Sequence, residues 1–382
     1  MKKILYCIVF AIFSVRLSFF FSPTLKTDSI YAWHKGTNYI YYTFHKLILN
    51  RLIPISYIDD LKVEEKIKNP PAWVLKQINE DFSHYAQFSP QVIEDTFNIF
   101  GPKNMLVKIE IKDGKITITK KDSTSLNGAF EFGLSIYKPI FTYALQKGYI
   151  KNVTFLFTDM LTNIPSGCAI ETLAPIVAVA KDISRNIDKD LVLIPDWMNL
   201  NSWHKLKPRI NAATHTFPWD KKIPKVIWRG GVADVTGSRK KVVEYSASTH
   251  SKLVDAKFVY TDEDATFMHP EHHLLYKFQL SIDGHTAPWE RPVWQLYSNA
   301  LMVKQKSSLI QWYYNAIAPE HHYIEYSGDP SELEDIAKKY SDEQLQQMSN
   351  NARDFVEHNL SADDMVAYVI LVLQKLEKLQ NK

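Results

Sequence analysis

This sequence has little sulfur, almost no charge surplus and none of the short motifs that classify a chain at once. Two cysteines, Cys7 and Cys168, among 382 residues cannot build a disulfide framework, so a reducing compartment is expected. The net charge is only +3 and no long Lys/Arg run occurs, which leaves no basic stripe for a phosphate backbone. No nucleic-acid partner is expected. The absence of a GxxxxGK[ST] loop and of a GxGxxG fingerprint argues against a P-loop ATPase and a standard dinucleotide dehydrogenase. A GxSxG nucleophile elbow is missing too, and Cys168 after Gly167 lacks the context of a catalytic thiol. There is no internal repeat and no low-complexity segment.

What remains is the balance of a folded chain, 46% hydrophobic and 23% charged, with a length that suits two ordinary domains. Aromatic residues reach 13%, enough for a large core, with sugar-stacking platforms as the sharper reading. The start is basic, Met1-Lys2-Lys3, and an apolar run from Ile4 to Phe13 is broken at Arg16. A cytoplasmic anchor, a cleaved signal and a start assigned too far upstream are the three readings of residues 1–28. Tyr39 to Ile55 mixes aromatic and aliphatic residues with His45, Lys46 and Arg51. That pattern suits a basic amphipathic helix on an anionic membrane surface, or a helix packed on the domain.

Asp59 to Lys68 is charged and stops at Pro70-Pro71, which reads as the join between leader and body. Val107 to Thr119 alternates apolar and polar residues around Asp113-Gly114, the signal of a β-hairpin. Short apolar runs at Val153–Phe157, Ile176–Ala180, Leu191–Ile194, Val226–Trp228, Lys277–Ile282 and Ala300–Lys304 read as buried parallel strands with helices between several of them. The expectation is an α/β protein with two Rossmann-like domains facing a central cleft. One covers residues 61–205 and is completed by a C-terminal helix within 350–382; the other covers 206–349. A basic amphipathic segment, 29–60, precedes them. In such sheets ligands bind beyond the carboxyl ends of the strands, which directs attention to Asp159, Arg229, Gly230, Gly231 and Asp283.

Three constellations carry chemistry. Trp228-Arg229-Gly230-Gly231, followed by Thr236-Gly237-Ser238-Arg239, places glycines and two arginines around one loop at a helix start. Glycine lets a phosphate approach the backbone, and arginine offers a planar fork to its oxygens, so the loop suits a diphosphate, with a surface turn carrying two solvated arginines as the alternative. Asp283-Gly284-His285 with Trp289-Glu290-Arg291-Pro292 suits a nucleotide: the acid for a sugar hydroxyl, the arginine for a phosphate. His269, His272 and His273 suggest zinc, but ligand partners at the required spacing are missing, and no metal is expected.

The run KFQLSIDGHTAPWERPVWQLYSNALMVKQKS, Lys277 to Ser307, followed by QWYY and HHYI, closely resembles glycosyltransferase family 90. That family includes Rumi-like protein O-glucosyltransferases, fungal capsule-associated xylosyltransferases and bacterial lipopolysaccharide-modifying enzymes. WRGG resembles its donor loop, LFTDMLTNIP its acceptor-side strand ending in a catalytic aspartate, and PDWMNLNSW the segment between the halves. The resemblance covers roughly residues 100 to 360. It implies a GT-B fold, a UDP-sugar donor as co-substrate with no cofactor, inversion at the anomeric carbon and no metal. It makes 61–205 the acceptor side and 206–349 the donor side. Asp159 becomes the general base. Arg229, Gly230, Gly231, Ser238, Arg239, Asp283, Gly284 and Arg291 become the donor site. Where eukaryotic members have Arg-Gly, this chain has Asp283-Gly284, so the donor sugar does not carry over. The secreted members' disulfides are missing as well, which moves the expectation to a bacterial-type enzyme on the cytoplasmic face of the inner membrane. Its acceptor would be lipopolysaccharide or another surface glycan, with a protein serine as the alternative. A catalytically inactive nucleotide-sugar-binding protein is the reading from another class.

Overall fold

A computed structural model describes residues 55–380 except 86, 102–105, 122–127, 160–172, 186–190, 235, 249–250 and 262–263. The leader and all of the Tyr39–Ile55 segment but its last residue lie outside the described residues, as do Cys7 and Cys168. Three helices open the described chain: α1 (Asp60–Lys68), α2 (Ala72–Asp81) and α3 (Pro90–Phe100). The charged stretch read as a join is α1. Asp59 caps it by accepting from the Leu61 amide at 3.0 Å, and Val63 is fully buried beneath it. Lys66 pairs with Asp364 at 2.8 Å. Its charges occupy the outer face of a docked helix, which a one-sided apolar count conceals.

The first sheet has the order β2-β1-β3-β4-β6. Strands β1 (Val107–Lys112) and β2 (Lys115–Lys120) form the expected hairpin. Asp113 and Gly114 take φ of 51° and 75°, the left-handed pair that a two-residue turn needs. Val107, Ile109 and Ile111 face the core while the lysines and glutamate between them face outward. Then come α4 (Gly128–Gln146), β3 (Val153–Thr158), β4 (Ile176–Ala178), the two-residue β5 (Lys181–Asp182) and β6 (Val192–Leu193). β3, β4 and β6 run parallel, and β1 pairs antiparallel with β3. The continuous apolar runs reflect burial on both faces.

Helix α5 (Trp197–Thr216) leads to the second sheet, and the expected boundary between 205 and 206 falls inside this one continuous helix. The second sheet is parallel throughout, ordered β12-β10-β9-β7-β8. Its elements are β7 (Ile223–Gly230), α6 (Ser238–Ser246), β8 (Val254–Phe258), β9 (Tyr276–Ser281), α7 (Arg291–Tyr297), β10 (Leu301–Gln305) and β12 (Ile324–Tyr326), while β11 (Leu309–Ile310) pairs with β5. Helices α8 (Asp342–Asn359) and α9 (Ala362–Gln380) complete the described chain.

Each sheet has its own apolar core. The assignment of helices to cores does not follow chain order. Val293, Trp294, Leu296 and Tyr297 of α7 belong to the core of the first sheet, although α7 lies between two strands of the second. Helix α9 returns to the first sheet. Glu377 accepts from the amides of Lys151 and Asn152 at 2.7 and 2.6 Å, and Gln380 exchanges two hydrogen bonds with the backbone of Thr154. Residues 54–382 form one unit. Among the described residues no helix is long and apolar enough to cross a membrane.

Candidate active site

Asp159 directly follows β3, the middle strand of the first sheet, and is 7% exposed. Its Oδ1 has no hydrogen-bond partner among the described residues. Burial, and then the charge of Asp196, push its pKa up to about 7. Asp196 follows β6 and caps α5, accepting from the Asn199 amide at 3.0 Å and from Asn199 Nδ2 at 2.7 Å. Burial lifts its pKa to about 6, against the hydrogen bonds from Asn199. Tyr137 ties the two positions together. Its ring meets Phe157 of β3 edge-on at 4.9 Å, and its hydroxyl donates to the carbonyl of Pro195 at 2.7 Å.

The second sheet contributes a cleft of about 360 Å³ at the end of β7, with Arg229, Gly230, Gly231, Tyr260, His273, Glu290, Arg291 and Trp294 among its walls. Gly230 is required by the protein itself, because a Cβ there would stand 2.6 Å from the ring of Trp228. A Cβ on Gly231 would meet nothing within 4 Å, so this backbone is open to an incoming group. Arg229 is held by Asp255 at 2.9 Å and donates to the carbonyls of Trp228 and Asp255. Its charge already has a carboxylate. Arg291 differs. Its Nη2 donates to the carbonyl of Arg229 at 2.7 Å, its Nη1 is buried with no partner, and among the described residues no carboxylate pairs with it. Burial, opposed by the charge of Glu290 and aided by that of Arg239, pulls its pKa down to about 10, which leaves it cationic at neutral pH.

Arg239 stands beside this cleft. Its Nε donates to the carbonyl of Asp283 at 2.9 Å and its Nη1 to that of Gly231 at 3.0 Å, with burial lowering its pKa. Gly284 is the second glycine the packing demands, since a Cβ would lie 2.6 Å from Arg239 Nη2. Asp283 is buried, and desolvation raises its carboxyl against Ser307 and Lys304, which hold it down. Ser238 opens α6, but its hydroxyl accepts from Thr236 and from Gln305, each at 2.8 Å. The amides at the start of α6 are occupied as well: Asp234 accepts from those of Thr236, Gly237 and Arg239. A phosphate there would compete with a built-in carboxylate.

The structure therefore brings Arg229, Gly230, Gly231 and Arg291 to one cleft and Arg239 to its edge, with Asp283 and Gly284 behind Arg239. Asp159 does not line that cleft. The connection runs through Asp196, whose carboxyl is acted on by Glu290 on one side and whose charge acts on Asp159 on the other. Among the described residues no group of histidines, cysteines and carboxylates is arranged to hold a metal ion. His273 is buried against Trp294, and its pKa falls to about 3 through burial and the charges of Arg291 and Arg229. It is therefore a neutral wall of the cleft. Sequence reasoning passed over Asp255 and Asp234, weighed His273 only as a zinc ligand and gave Glu290 no role of its own. Asp234, two residues before Thr236-Gly237, carried a readable turn and cap signature; Asp255, inside a strand, carried none.

Residues 184–382, just over half of the chain, match the profile described as Glycosyl transferase family 90. The chain is 28% identical over 179 residues to Protein O-glucosyltransferase 2 of Danio rerio, covering 44% of this chain and 35% of that protein. It is 25% identical over 174 residues to Protein O-glucosyltransferase 3 of Homo sapiens, covering 43% and 34% respectively. The matched segment thus spans about a third of each relative's length.

Proposed function

The chain belongs to glycosyl transferase family 90, and from that premise we propose that it transfers a sugar from a UDP-sugar to a hydroxyl acceptor with inversion, Asp159 acting as general base. The observation that carries this is a buried carboxylate at the end of β3, with one oxygen unpartnered among the described residues and a pKa near neutral. A base is most effective when its pKa lies near the working pH. The acceptor oxygen bonds to the anomeric carbon on the face opposite the leaving group, its proton passes to Asp159, and the bond to the UDP oxygen breaks. Negative charge collects on the diphosphate. Arg291, which has no ion-pair partner among the described residues, and Arg239 beside it meet that charge, while Arg229, neutralised by Asp255, supplies the carbonyl that anchors Arg291. Fixed cations of this kind stabilise a leaving diphosphate without a metal, and nothing beyond the UDP-sugar is needed. The two sheets, each with its own core and with the strand-end residues on this chemistry, support a GT-B reading of the fold.

The acceptor in this reading is lipopolysaccharide or another surface glycan, met at the cytoplasmic face of the inner membrane through the Tyr39–Ile55 segment. A second reading, a protein serine, is favoured by the names of the two relatives. Mass spectrometry of surface glycans and of glycopeptides from a strain lacking the chain separates them, since each predicts a missing sugar in only one fraction. Asp159→Asn tests the chemistry. Transfer should fall roughly 10²–10⁴-fold with UDP affinity unchanged. In the wild type the rate should rise as pH climbs through about 7 and Asp159 ionises. Near wild-type transfer by the variant would remove Asp159 from the mechanism. A wild-type chain that binds UDP and transfers nothing would be the inactive binding protein instead.

A further inference from the structure

Asp196 sits between the two halves of this chemistry. It is 1% exposed, and its carboxylate is fixed twice over by Asn199. Trp197, the next residue, meets Trp289 edge-on at 5.3 Å, and Asn199 Nδ2 reaches the Trp289 carbonyl at 3.5 Å, so the cap is joined to the segment carrying Glu290 and Arg291. On the other side the Tyr137 hydroxyl fixes Pro195 against the strand that ends at Asp159. The sheet register agrees: Thr158 lies beside Ala178, and Ala178 beside Leu193, so Asp159 and Asp196 leave the same edge of the sheet.

We propose that Asp196 is a positioning residue for Asp159: held at the start of α5, its negative charge sets the field in which the base accepts a proton. This rests on the assignment of Asp159 as base. Helix N-termini and hydrogen bonds from amides favour the ionised form of a carboxylate, and this lets Asp196 stay charged although buried. A second negative charge then opposes ionisation of Asp159 and makes it a stronger base. Asp159 also faces Tyr137 of α4; Asp196 faces Tyr137, Glu290 ahead of α7, and Tyr313 and Tyr314 beyond β11. The tyrosines are held neutral by burial, so Asp196 is the charge that acts on the base.

Asp196→Asn tests this with little disturbance, because asparagine caps a helix about as well as aspartate. Asn199→Ala is the second variant, which weakens the charge without touching either carboxylate. In full-length chain labelled with carbon-13 at the aspartate carboxyls, the resonance lost in Asp159→Asn identifies the base. Its midpoint should lie near neutral in the wild type and fall by about one pH unit in Asp196→Asn, the scale of a like-charge effect. Asn199→Ala should move it the same way by less. With UDP-glucose as donor probe, the acid limb of its turnover should shift in step, which lost packing alone would not produce. A midpoint unmoved in both variants overturns the role of Asp196 and leaves the base assignment intact. UDP-glucose turnover by Asp159→Asn at the wild-type rate overturns the base assignment, and the role of Asp196 with it.

Discussion

Replacing Arg291 by methionine should move stability and ligand binding in opposite directions. The guanidinium is half-enclosed by the cleft, and among the described residues one of its nitrogens is buried without a partner and no carboxylate forms an ion pair with it, although the charge of Glu290 acts on it. Its pKa drops from the ordinary arginine value to about 10. A cation whose folded pKa is lowered below its unfolded value destabilises the fold at every pH below about 10, and the penalty fades only above that. At ~1.4 kcal/mol per pH unit the drop corresponds to about 3 kcal/mol, and exposure to cleft water reduces this to about 1–3 kcal/mol. Methionine fills the space beside Trp294 without the charge. Urea unfolding of Arg291→Met at pH 7 without ligand should therefore show stability equal to wild type or greater by about 1 kcal/mol, the side-chain bond to the Arg229 carbonyl being the offset. Calorimetric titration with UDP should show the opposite, a loss of about 1.5–3 kcal/mol, roughly 10- to 150-fold in Kd, for removal of charge-assisted bonds to phosphate. A variant that unfolds several kcal/mol more easily and binds UDP as well as wild type would make the guanidinium a structural brace and refute the reasoning.

Gly284→Ala should push Arg239 off its carbonyls, since the new methyl would sit 2.6 Å from Nη2 and 3.0 Å from the Ala233 carbonyl; UDP affinity should fall about tenfold, ~1.4 kcal/mol, by calorimetry. Lys181→Met leaves the Asp81 carboxylate, 1% exposed and paired at 2.6 Å in the native chain, buried without its cation. Unfolding free energy should drop by about 3–5 kcal/mol at pH 8. The deficit should shrink at pH 5, because burial has raised the Asp81 pKa and protonation then favours the fold; an equal deficit at both values would contradict this. Incubation with EDTA should leave sugar transfer unchanged, and activity lost to EDTA and restored by manganese would end the metal-free mechanism.

The strands were legible where their burial is two-sided. Val153–Phe157, Lys277–Ile282 and Ala300–Lys304 appear as β3, β9 and β10 within a residue or so, because a parallel strand between helices is apolar on both faces. Strand β8, VDAKF, was not, since Asp255 and Lys257 interrupt the run at a sheet edge. The arginines were legible as residues but not as partners. Nothing local to WRGG says that Asp255 on the adjacent strand claims Arg229 while Arg291, 62 residues on, has no ion pair among the described residues. Asp234 ahead of α6 is a different case: its place two residues before Thr236-Gly237 was a readable cap signature, and it fills the helix start that a phosphate would otherwise take. Asp159 was singled out through the strand end and the family resemblance. Its raised pKa comes first from burial and then from the charge of Asp196, 37 residues later, and only the sheet brings the two to one edge.

The return of α9 to β3 imposes an order on synthesis. Thr154 and Gln380, which bond each other, are 226 residues apart. At the ~5–20 residues per second of a translating ribosome, β3 waits roughly 10–45 s for its partner. Val369, Leu373 and Leu376, which close the core beneath it, emerge at the same late stage. The second sheet needs nothing later than Leu345 and Met348 for its own core. The half made later is thus ready before the half made earlier. A nascent chain of this protein carries an open, apolar first sheet while the 226 residues from Thr154 to Gln380 are made, and a chaperone that shields such surfaces would raise the yield of folded protein more than a slower ribosome would.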